Sequence, residues 1–103
     1  MVSHQGNFPL IQVLEKAKKL LSLEGNDYSW SSWENEAQAL LELNKLQTRI
    51  MANMSWDEGD FEVLFAPTGP IQEVSLSSGW GPEFLKLADE ADQAIQMYRK
   101  NLN

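Results

Sequence analysis

The stretch Trp56 to Glu62, WDEGDFE, places Asp57, Glu58, Asp60 and Glu62 almost side by side. Carboxylates alone can supply the acid and base of glycoside hydrolysis, or the oxygen ligands of a hard cation. Asp57, Asp60 and Glu62 would meet Glu73 near one end of the β-hairpin read below. Such a set could hold a divalent ion or an acid–base pair, and a small carboxylate- or metal-dependent hydrolase is one functional reading. DEGDFE nevertheless departs from a calcium loop, which needs oxygens at alternate positions around a central Gly and a Glu at its twelfth place. The third use of the cluster is as plain surface. Like charges this dense repel unless they stay hydrated or meet positive charge from elsewhere, and exposed acidic runs are usually of that kind.

Other chemistry is scarce. His4 is the single histidine and there is no cysteine, so a nucleophilic triad is either impossible or would rest on His4, within a polar arm (residues 1–7) expected to be flexible. General bases need a rigid surround. PTGP and SSGWG match neither the phosphate loop nor the dinucleotide fingerprint. No catalytic residue, cofactor or metal site is therefore assigned. Trp30, Trp33, Trp56 and Trp80 all fall in or near loops. They could form an aromatic cage, but Trp33 and Trp80 read better as residues closing the ends of the core, with each indole N–H satisfied by a loop carbonyl. Trp80, between Gly79 and Gly81, is expected to be buried as an anchor fixing the hairpin read below to the last helix.

The elements follow from periodicity. From Phe8 to about Leu23, the residues Leu10, Val13, Leu14, Ala17, Leu20 and Leu21 recur at helical spacing. Gly25 is the expected left-handed residue after this helix. A second helix is expected from a capping box of Ser31 and Glu34, with Trp33, Ala37, Leu40, Leu41 and Ile50 on its inner face. FEVLFA (Phe61 to Ala66) and IQEVSL (Ile71 to Leu76) are rich in β-formers around PTGP and read as an antiparallel hairpin. Pro82 then opens a last helix whose stripe is Phe84, Ala88, Ala91, Ile95 and Tyr98. The expected fold is α+β, three helices packed on a small antiparallel hairpin in the order ααββα, as a single domain over residues 1–103.

The bulk numbers agree with an ordinary globular chain: 103 residues, 43% hydrophobic and 22% charged. No signal peptide or membrane-spanning run is read, the absence of cysteine fits a reducing cytoplasm, and a monomer is the favoured state. The net charge of -7 is uneven, and from Asp57 to Asp92 nine acids stand against Lys86 alone. That surface repels nucleic acid and anionic membranes and attracts basic proteins.

Two blocks, EGNDYSWSSWENEAQALLEL (Glu24 to Leu43) and LFAPTGPIQEVSLSSGWGPEFLKLADEAD (Leu64 to Asp92), resemble a family of small bacterial proteins, some of which look like immunity proteins of contact-dependent growth inhibition systems. The resemblance implies a cytoplasmic non-enzyme that binds a cognate toxin domain, often a basic nuclease such as an RNase, and covers its active site. It transfers no catalytic motif. With that expectation the acidic cluster acquires a use, since an acidic inhibitor can take the place of the nucleic acid on such a toxin. Asp57, Glu58, Asp60, Glu62 and Glu73 are the expected partner-binding residues. An interaction module with another partner is the remaining alternative.

Overall fold

A computed structural model describes residues 4–101, with side chains from residue 7 onward. Among the described residues every regular element is a helix: α1 His4–Leu21, α2 Glu36–Met51, α3 Glu58–Leu64, α4 Pro70–Ser78 and α5 Gly81–Asn101. The expected α+β architecture is therefore corrected to all-α.

Helix α1 lies at the centre and packs along both α2 and α5, while α3 and α4 lean against α5. Its stripe is the one legible in the sequence: Leu10, Val13, Leu14, Ala17 and Leu21 are buried, because residues three and four apart share one helical face. Opposite them α5 buries Phe84, Leu87, Ala91, Ala94 and Ile95, and α2 buries Ala39, Leu43, Leu46 and Ile50. Lys16 of α1 and Glu90 of α5 form an ion pair at 2.7 Å outside this seam. At its other end α1 is tied to α2: the buried Asn7 donates from Nδ2 to the Ile50 carbonyl at 3.1 Å.

The hairpin fails for a definite reason. A strand over residues 61–66 would place Phe61, Val63 and Phe65 on one face. The chain instead buries Phe61, Leu64 and Phe65 and leaves Val63 60% exposed, which is the spacing of a helix. The Phe61 and Phe65 rings then meet with centroids 5.0 Å apart. Residues 71–76 behave alike, burying Ile71, Val74 and Ser75 while Leu76 faces out. Between them PTGP serves as a helix start and not a β-turn, with Gly69 as N-cap and Pro70 in the first turn of α4, where a missing N–H costs nothing. Gly69 sits so close under the end of α3 that any Cβ would collide with the Val63 carbonyl oxygen.

The second helix starts later than expected. Asn35, and not Ser31, is the N-cap of α2, accepting from the Gln38 amide at 3.0 Å, and the Gln38 side chain accepts from the Glu34 amide at 2.9 Å. The inner face shifts with it, so that Ala37 and Leu41 are exposed and Leu40 only half-buried. Trp33 is buried nonetheless, its indole donating to Glu42 at 2.9 Å.

The segment from Ser22 to Asn35 is a folded loop. Gly25 takes the left-handed conformation expected of it, with φ 85°. Asn26 donates from Nδ2 to the Leu20 carbonyl at 2.8 Å and accepts from Trp80 Nε1 at 2.9 Å. Trp80 is 6% exposed. It lies between Gly79, the left-handed C-cap of α4, and the first residue of α5, so the buried ring is an anchor as expected, but it pins the loop after α1 to the junction of two helices and not a hairpin to the last helix. Tyr28 closes the end of α1 by donating to the Leu21 carbonyl at 2.6 Å.

Candidate interaction surface

The acidic stretch that suggested chemistry is the N-terminal turn of α3. Asp57 is its N-cap, accepting from the Gly59 amide at 2.8 Å, and Glu58 and Asp60 occupy the first turn, where carboxylates are favoured by the unpaired N–H groups and the positive end of the helix dipole. Much of the crowding is thus a helix-start signature.

Arg99, near the end of α5, reaches across to this turn. Its Nε donates to Glu58 at 2.7 Å and its Nη2 to Glu62 at 3.0 Å. The two glutamates stand one turn apart on α3 and share the guanidinium, whose pKa is raised by the hydrogen bond it donates to Glu58 first and by that to Glu62 second. Arg99 is 41 residues from Glu58, so this cation is not apparent beside the cluster in the sequence. Arg49 is near as well, donating to the Ser55 carbonyl at 3.1 Å and bordering a shallow depression with Asp57, Glu58 and Asp60. Trp56 is half-buried and rests against Tyr98, with ring centroids 5.1 Å apart. Trp30 is 77% exposed.

Glu73 does not join the cluster through any hydrogen bond. It lies in the first turn of α4 and accepts from the Ser32 amide at 3.2 Å. Of the five expected site residues, four share the start of α3 and one braces the loop before α2. Each of Asp57, Glu58, Glu62 and Glu73 is engaged by a donor of the chain itself, which leaves Asp60 as the uncommitted carboxylate. Among the described residues no three His, Cys, Asp or Glu side chains are grouped so as to hold a metal ion.

A second feature adjoins this turn. Between α3, the turn after it and α5 runs a half-open groove of about 460 Å³. Phe61, Phe65, Ala66 and Pro67 form one wall, and Leu85 and Ala88 of α5 the other. Leu85 is 69% exposed. Along the margin stand Glu62, Asp89 and Asp92. Asp89 and Asp92 receive hydrogen bonds only from neutral neighbours, Gln93 and Gln96, each at 3.0 Å, and no cation pairs with either among the described residues. This groove was invisible in the sequence as long as residues 61–66 were read as a strand. Its one readable signal was the acid-rich outer face of α5, where Asp89 and Asp92 recur at helical spacing beside Leu85.

No helix among the described residues is long and apolar enough to cross a membrane. No protein-family model, no curated protein and no solved structure matches the chain.

Proposed function

We propose that this chain is a non-enzymatic binding protein that neutralises a basic protein domain, as an immunity protein neutralises its cognate toxin, by laying the acidic surface of α3 and α5 over a cationic active site. The observation that carries the reading is the acidic surface that α3 and α5 present: among the described residues no cation pairs with Asp60, Asp89 or Asp92, and Asp89 and Asp92 line an apolar groove between the two helices. Charge steers a basic partner toward such a surface, and apolar contact then holds it. The hydrolase alternative has less support, because Asp57, Glu58, Glu62 and Glu73 are bound by amides or by Arg99. A basic nuclease, an RNase in particular, remains the most concrete partner implied by the resemblance, and a cytoplasmic site of action goes with it.

The test begins with the gene neighbourhood, where a large secreted protein with a basic C-terminal domain is expected directly upstream, and uses that domain with the purified chain. The chain should abolish that domain's nuclease activity at stoichiometric ratio, and the association rate should fall steeply with salt. Reversing Asp60 and Glu62 together to Lys should slow association by about tenfold or more without unfolding the protein, since exposed charges contribute little to stability. Undiminished nuclease activity at saturation, or an association rate indifferent to salt, would overturn the reading.

A further inference from the structure

We infer that the groove between α3 and α5 takes an amphipathic helical segment of the partner, one that presents a short apolar ridge flanked by Lys or Arg. The inference rests on the proposed function for the partner's positive charge and adds where and by what structure the partner is held.

The walls are apolar, Phe65 and Ala66 on one side and Leu85 and Ala88 on the other, and the volume falls within the range of about 300–1,000 Å³ typical of ligand sites. Leu85 and Asp92 bracket about 10 Å of α5 at 1.5 Å per residue. That length fits two turns of an opposing helix, whose anchors recur at i, i+3 or i+4, and i+7. Burying the outward-facing Leu85 supplies part of the driving force. The margin selects the sign of the flanking charge. Asp89 and Asp92 have no cation of the chain to pair with, whereas Glu62 is already shared with Arg99. An acidic helix would bring like charges together along the rim, and a neutral one would leave them unmatched. A basic flank pairs with them across the groove.

The probe is a synthetic amidated helix of about four turns, carrying Leu at i, i+3 and i+7 and Lys on both flanks. Two control peptides replace every Lys by Glu, or every Leu by Ser. Fluorescence anisotropy gives the affinities, and amide chemical-shift mapping on the whole chain gives the location. The Leu/Lys helix should bind about tenfold or more tightly than either control, with the largest shifts at Phe65, Ala66, Leu85 and Ala88. The double variant Asp89→Lys/Asp92→Lys should weaken it by a similar factor while keeping the parent's urea midpoint. Equal binding of the Ser control would show a purely electrostatic contact and overturn the inference. So would shifts confined to the Arg49–Asp60 depression.

The two proposals separate cleanly. If the cognate toxin is bound and inhibited equally by the parent and by the double variant, the groove falls and the proposed function rests on the acidic turn of α3 alone. If the helix seats in the groove while no toxin domain is inhibited, the proposed function falls alone.

Discussion

Trp80 offers the sharpest test of how this small protein is held together. Its ring is 6% exposed at the junction of α4 and α5, and its indole donates to Asn26 in the loop that follows α1. Trp80→Ala removes the ring and the hydrogen bond together. Emptying a large aromatic site in a packed core costs about 3–5 kcal/mol. The lost hydrogen bond adds little in that variant, because Asn26 is half-exposed and water can replace the indole. Trp80→Phe separates the two effects. It keeps most of the apolar volume and loses the donor, for a cost of about 1–2 kcal/mol. A domain of this size has only about 5–15 kcal/mol in total, so the alanine variant should lose about a fifth of its stability or more. Urea unfolding followed by far-UV circular dichroism reads this directly, as a lower midpoint at unchanged slope. The melting temperature should fall by about 12 °C or more. An alanine variant within about 1 kcal/mol of the parent would refute the anchoring role, and a phenylalanine variant as damaged as the alanine one would assign the effect to the hydrogen bond instead of the ring.

Two further expectations concern other joints. Gly69→Ala should destabilise by about 1–3 kcal/mol, since the new Cβ meets the Val63 carbonyl, a backbone atom that cannot swing aside; an unchanged urea midpoint would show that the α3–α4 junction is looser than described. Burial, assisted by the Glu36 carboxylate, raises the Tyr28 phenol above its ordinary value, so the folded state holds this proton more tightly than the unfolded chain does. Its contribution is therefore complete below the unfolded phenol's pKa, near 10, and is lost as pH rises through the raised value. Stability should decline more steeply above that pH in the parent than in Tyr28→Phe, and superimposable pH profiles would remove Tyr28 from the account.

The parts of the fold that could be read from the chain are those where periodicity had length to work with. In α1 and α5 the apolar residues repeat over several turns, and only a helix places them on one face. The six residues from Phe61 to Ala66 are too few for that. Phe61 and Phe65 suit both periods, and only the choice between Val63 and Leu64 distinguishes them. The decisive signals lay at the ends: Asp57 followed by Glu58 and Asp60 is a helix start, Gly69–Pro70 is another, and Gly79 is a helix stop. Reading the carboxylates as chemistry hid their role as caps. In α2 two capping patterns compete, Ser31 with Glu34 and Asn35 with Gln38, and choosing the earlier one rotated the inner face from Ala39 and Leu43 to Ala37 and Leu41. The Arg99 bridge was beyond reach for a different reason. Partners 41 and 37 residues apart are joined by tertiary packing alone.

The seam between α1 and α5 also sets an order of events during synthesis. Lys16 and Glu90, partners across it, are 74 residues apart. At roughly 5–20 residues per second, the ribosome takes about 4–15 seconds to add that length. During that interval α1 can cover part of its apolar stripe first with α2 and then with α4, and the side destined for α5 faces water. The closing step then carries the entropy of joining a long loop, a cost that grows only slowly with its length. A chain stalled or cut before α5 consequently exposes half of the central helix and has no local way to cover it. Nascent-chain quality control would meet this protein there, on the α5-facing residues of α1.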